Sequence, residues 1–181
     1  MHRILAAVLA LSLVAPAAAR ARGPSTPEER KRAVETTRKL EKEPLARNSM
    51  DARKWLFQWI VEIPDVNVTS CAGPLDALRE DEEDTYGQLL YVQSVFGMAA
   101  FLFEHPKEAK DWAAAQTAGI ESTLKAYESI LKADPEARWK ELDRLVSARD
   151  AKKLRKLVEK EMANCPKGEG EEGGPMPRDA I

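Results

Sequence analysis

Apolar positions along this chain follow three patterns, and each predicts a different kind of segment. From Ile4 to Ala15 they are nearly unbroken. From Thr26 to Met162 they recur every three or four residues, the spacing of one helix face. After Cys165 they lose all periodicity. Inside the helical region one stretch stands apart. Between Leu89 and Phe103 nearly every residue is apolar, with Gln93 and Ser94 as the polar exceptions. A helix apolar on all sides is surrounded by other helices, so a central helix over roughly Asp84–Glu104 is predicted. Its small residues Gly97, Ala99 and Ala100 allow neighbours to approach closely.

The flanking segments read as amphipathic helices punctuated by proline. Thr26, Pro27 and Glu29 form a capping box with proline at the first helical position, opening a helix over Thr26–Lys42. Its stripe of Val34, Thr37 and Leu40 is thin, which suggests a surface helix ended by Pro44. A second helix over Ser49–Ile63 places Ala52, Leu56, Trp59 and Ile63 on one face, widened by Trp55 and Ile60, before Pro64 stops it. Asp65 to Cys71 alternates briefly and reads as a short extended connection, with Gly73-Pro74 as a turn. After Pro106, a helix over Lys107–Ala133 aligns Trp112, Gln116, Ile120, Leu124, Tyr127 and Leu131, and its Gly119 marks either a close crossing or a kink. Asp134-Pro135 opens a fifth helix carrying Trp139, Leu142 and Val146. Ser147 and Asp150 are spaced to open a sixth, with Ala151, Leu154, Leu157, Val158 and Met162 on its apolar face. The expectation is an all-α compact bundle of about five or six helices around one apolar central helix. It forms a single domain over residues 20–165, and the glycine- and glutamate-rich residues 166–181 read as a disordered tail.

Thr123 to Pro135 resembles the second half of a tetratricopeptide repeat, with Tyr127, Ile130 and Pro135 where that repeat places an aromatic, a small apolar residue and its closing proline. The resemblance would imply a scaffold of stacked helical hairpins. Thr123 replaces the usual alanine, the first-half pattern is absent upstream, and no second copy follows at the repeat period. An ordinary helical hairpin is the favoured reading.

The N-terminal run has the order of a secretory signal peptide. Met1-His2-Arg3 is a positive start, Ile4–Ala15 an apolar core, and Pro16-Ala17-Ala18-Ala19 the small residues a signal peptidase reads. The run is shorter than the roughly 20 residues a permanent span needs. Cleavage is expected after Ala19, with Ala21 as the alternative, giving an exported periplasmic or extracellular protein with no stable membrane insertion afterwards. Export meets an oxidising compartment, so the only two cysteines, Cys71 and Cys165, are expected to form a disulfide. Closing a loop of about 95 residues would contribute about 4–5 kcal/mol in the chain-entropy description.

Charge adds little direction. Lys and Arg number 28 against 30 Asp and Glu, mixed along the chain, which gives no prior for nucleic acid or an anionic membrane. The basic stretch Lys152-Lys153-Leu154-Arg155-Lys156 reads as a solvated helix face, and the acidic run Glu80–Asp84 as a helix start, since it lacks the spacing of a calcium loop. Beyond the leader there is one histidine, His105, placed to cap the end of the central helix. No phosphate loop, dinucleotide fingerprint or metalloprotease motif is present, so no cofactor, metal or catalytic residue is assigned. Asn67-Val68-Thr69 matches a glycosylation sequon, a motif frequent by chance.

The remaining candidates are polar side chains expected inside the bundle. Gln93, Gln116 and Tyr127 either furnish a small-molecule pocket between helices or pair with partners in a core polar network, the favoured alternative. The function expected on these grounds is non-catalytic binding of a protein partner or small ligand. The alternatives are an envelope hydrolase built on a carboxylate pair, or the helical scaffold named above.

Overall fold

The computed structural model describes residues 22–69, 73–80 and 86–163. Seven α-helices occur among them: α1 (Pro27–Lys42), α2 (Ser49–Glu62), α3 (Asp76–Glu80), α4 (Gly87–Glu104), α5 (Trp112–Ala133), α6 (Lys140–Asp150) and α7 (Leu154–Glu161). The fold is an all-α bundle, and α4 is its central helix, packed against α1, α2, α3 and α5. From Gln93 to Ala100 every residue of α4 is buried, as an all-round apolar sequence requires.

The α4–α5 pair is the spine. Its contacts run antiparallel, Leu90 facing Thr123 and Gly97 facing Ser122. Two glycines set the separation. A Cβ on Gly97 would lie 2.4 Å from Ser122 Cβ and 2.9 Å from the Ala118 carbonyl oxygen. A Cβ on Gly119 would lie 2.8 Å from the Ser94 carbonyl oxygen. Rigid backbone cannot yield to either, so Gly119 marks a close crossing, and α5 runs through it without interruption.

Around the spine lie two apolar clusters. The C-terminal one gathers Leu78, Leu90, Ile120, Leu124, Tyr127, Ile130, Leu142, Leu145 and Val158 from α3 to α7. The N-terminal one gathers Ala33, Leu40, Leu56, Trp59, Ile60, Ile63, Phe96 and Ala99 from α1, α2 and α4. Trp59 stacks on Trp55 (centroids 6.0 Å apart) and tilts against Phe103 (5.5 Å).

Several local expectations shift. The capping box of α1 forms, Thr26 Oγ1 accepting from Glu29 N (3.2 Å) and Glu29 Oε2 from Thr26 N (2.9 Å). Yet α1 is no peripheral helix: it packs on both α4 and α5 and buries Glu41 as well as Thr37 and Leu40. The central helix begins at Gly87, and the short α3 precedes it where only a turn and an acidic run were expected. Most of that run, residues 81–84, lies outside the described residues. The expected start of α5 at Lys107 is instead a single 3₁₀ turn, Pro106–Glu108, because Asp111 caps the helix by accepting from Ala114 N (3.0 Å).

Ser147 does not open a new helix. Its hydroxyl donates to the Asp143 carbonyl (2.9 Å) and α6 runs on to Asp150. There Lys153 N bonds Ala148 O and Lys152 N bonds Arg149 O, both at 2.8 Å, with Lys152 at φ 58°. That is a Schellman stop carrying lysine where glycine is usual.

Candidate functional site

A cleft of about 720 Å³ opens between the end of α2 and the α4–α5 turn. One wall is the extended strap Asp65–Thr69, which Pro64 delivers after ending α2. The other is the C-terminal part of α4 (Met98, Leu102, Phe103) and the first turns of α5 (Trp112, Ala115, Gln116). Pro106, Ala109 and Lys110 line it at the α4–α5 turn, and Arg30 from α1 also faces it.

The strap is pinned at both ends. At Asp65, Ser25 N donates to Oδ1 (2.9 Å) and Ser25 Oγ to Oδ2 (2.6 Å), while Arg30 reaches Oδ2 at 3.2 Å. Burial works against the charge on Asp65, but these hydrogen bonds and the Arg30 guanidinium outweigh it and hold its carboxyl below the usual range. At the other end Gln116 Nε2 donates to the Thr69 carbonyl (2.7 Å). Between the pins, Val66 and Val68 pack on the N-terminal cluster and Asn67 is exposed. Residues 66–68 make no backbone hydrogen bond among the described residues.

Across the cleft, Trp112 is half-buried, but its Nε1 is shut inside without an acceptor. What it offers the opening is therefore ring carbon. Lys110 is exposed and has no ion-pair partner among the described residues. The cleft thus combines an apolar floor, a polar backbone edge and one unneutralised cation.

The three polar residues picked out from the sequence do not meet. Gln116 alone lines this cleft. Gln93, fully buried, donates from Nε2 to Ser122 Oγ (3.0 Å), and Ser122 donates onward to Glu41 Oε1 (2.8 Å). Because Ser122 gives its one proton to Glu41, it can only accept from Gln93, which fixes the amide orientation and leaves Gln93 Oε1 unpartnered. Tyr127 lies in the C-terminal cluster, its hydroxyl donating to Asp143 Oδ1 (2.9 Å) and accepting from Trp139 N (3.0 Å). Burial, together with the Asp143 carboxylate, raises its pKa against the opposing bond from Trp139. Each of the three has a separate hydrogen-bond partner, and Gln116 also faces the cleft.

A smaller recess of about 330 Å³ is lined by Arg38, Glu104, His105, Glu121, Lys125 and Arg155. Its arginines are already engaged. Arg38 bridges Glu41 and Glu104, each at 2.6 Å, and Arg155 reaches Asp111 at 3.1 Å. His105 is exposed, stacks on Phe101 and sits 3.4 Å from Glu108 as the C-cap of α4. Of the basic stretch, Lys152, Lys153, Arg155 and Lys156 are exposed and Leu154 is buried, the arrangement of a solvated helix face.

Among the described residues five pairs of carboxylates share an arginine: Glu29 and Glu62 through Arg22, Glu41 and Glu104 through Arg38, Glu141 and Glu161 through Arg144, Glu128 and Asp150 through Arg149, and Asp111 and Glu159 through Arg155. Each shared arginine engages both of its carboxylates in ion pairs. Among the described residues there is no group of three or more His, Cys, Asp or Glu placed to hold a metal ion, and no helix long and apolar enough to cross a membrane. Cys71, Cys165, the leader and residues 166–181 lie outside the described residues.

Sequence reasoning read Asp65–Cys71 as a short extended connection and Trp112 as part of an apolar face, without placing them, or Lys110, around one cleft. The alternation of Asp65–Thr69 was visible, but nothing local shows that it lies opposite the start of α5. No family model, curated protein or solved structure matches this chain.

Proposed function

We propose that the protein is an exported, non-catalytic binding protein that holds its ligand in the cleft between the strap Asp65–Thr69 and the α4–α5 turn. The observation that carries this reading is the cleft itself. About 720 Å³ lies within the range of ligand sites, and an apolar floor with a few convergent polar groups is their usual lining. The order of charge, apolar run and small residues in the first 19 residues supports export. A Cys71–Cys165 disulfide, formed after export, would tie the segment following the strap to the segment following α7.

Native mass spectrometry of the protein recovered from its exported compartment tests the proposal. The expected result is a protein mass reduced by the leader and by two hydrogens, carrying an adduct that is lost on denaturation. The adduct should also be lost from Trp112→Ala, whose circular dichroism should match the parent. A bare monomer from the same preparation, or an adduct indifferent to Trp112, overturns the cleft as the site of function.

A further inference from the structure

Resting on that reading, we infer that the occupant of the cleft is an extended polypeptide segment that pairs with residues 66–68 as an added strand and presents an acidic or C-terminal carboxylate to Lys110.

Three observations converge on this class of partner. First, the strap belongs to no helix, and the backbone of its central residues is unpaired among the described residues. Residues 66–68 make no backbone hydrogen bond among the described residues, while Ser25 and Gln116 fasten only the two ends. A non-helical wall fastened at both ends, with its peptide groups unused, offers the main-chain donors and acceptors that strand addition requires. A compact apolar molecule would leave them unused.

Second, the face opposite the strap is apolar over a stretch longer than one side chain, running from Met98 through Leu102 to Trp112. An extended chain sends alternate side chains to the same side, so every second residue of the guest meets this floor while the others face water. Val66 and Val68 are partly buried against the N-terminal cluster and line the cleft opposite the α4 and α5 residues.

Third, the charges are asymmetric. Arg30 and Asp65 neutralise each other, whereas Lys110 has no counter-ion among the described residues. Lys110, the lining cation without a counter-ion, selects a guest with a carboxylate at that position and gives the bound chain a direction.

The test keeps the protein intact and alters the guest. A fluorescein-labelled octapeptide alternating valine with threonine and ending in aspartate is titrated with the full exported protein and followed by anisotropy. The same peptide, N-methylated on every second residue in each of the two registers, serves as comparison. Saturable binding, weakened at least tenfold by methylation in one register and severalfold by Lys110→Gln, is the expected result. Equal affinity for all three peptides means that side chains alone are recognised and overturns strand addition. If no peptide binds but 8-anilinonaphthalene-1-sulfonate does, and Trp112→Ala abolishes that signal, the cleft takes small apolar ligands and the peptide inference fails while the binding function stands. If neither probe binds, both fail together.

Discussion

The two apolar clusters of this bundle solve the problem of buried polar groups in opposite ways. In the C-terminal cluster, Tyr127 carries its hydroxyl into a fully buried position and finds both a donor and an acceptor on the segment around α6. In the N-terminal cluster, Arg53 is only 6 % exposed, and none of its three side-chain nitrogens has a partner. Desolvation alone lowers its pKa to about 10. The aromatic residues Trp55, Trp59 and Phe103 are on the same side of the molecule, and so is the strap with its unused backbone. Unmatched polar capacity is costly to keep. Among the described residues Arg53 and Trp59 keep most of it in the N-terminal half, so that half gives up stability that the C-terminal half retains.

Breaking the C-terminal half should therefore have the largest effect on stability and the smallest on the cleft. Leu124 is completely buried in that cluster. Leu124→Ala should cost about 3–5 kcal/mol, from lost burial and the cavity left behind. Urea unfolding measures it directly. A loss below about 1 kcal/mol would show that the cluster can collapse around the gap and that its packing is loose.

Next in size is the buried carboxylate that joins the halves. Glu41 reaches from α1 to Ser122 on α5, with Arg38 at 2.6 Å and Lys125 at 3.8 Å. Glu41→Ala strands the Ser122 hydroxyl and removes two cationic contacts, for an expected loss of about 2–3 kcal/mol. Adding Ser122→Ala should cost less than the two single losses combined, because the second change removes the group that the first left unpaired. Strict additivity would mean that Glu41 and Ser122 act independently.

Arg53 gives the opposite sign. Replacing it by methionine keeps much of the volume and removes a desolvated charge, so Arg53→Met should stabilise the protein by about 1–3 kcal/mol. A destabilised variant would show that the guanidinium holds the N-terminal half together through its packing.

How far the bundle was legible from sequence follows the same division. The central helix, both tryptophans of α2 and the apolar face of α5 were readable because each rests on local spacing. The capping box of α1 was readable for the same reason. Glu41 was not, since a charged residue on a thin-striped helix reads as solvent-facing until α5 is known to supply Ser122. Ser147 misled because its spacing to Asp150 suits a new helix, while its hydroxyl bonds back into α6 and Lys152 accepts the left-handed turn without glycine. The cleft was least legible. Its walls are separated by some 30 to 50 positions along the chain, and among the described residues the Gln116–Thr69 hydrogen bond is the one that joins them.

The smallest predicted effect concerns the strap and is read through pH. Asp65 is held in its charged form in the folded protein by Ser25 and Arg30, so its folded pKa lies below its unfolded one. The folded state then binds the proton less readily than the unfolded state. The stabilisation is fully present above the ordinary aspartate range, about 4, and is lost as pH falls through the depressed folded value. Asp65→Asn removes this dependence. Wild type should therefore melt above the variant near neutral pH by a constant margin that shrinks only in acid. If the margin is the same at every pH, the carboxylate charge does not hold the strap, and the Ser25 contacts alone set the width of the cleft.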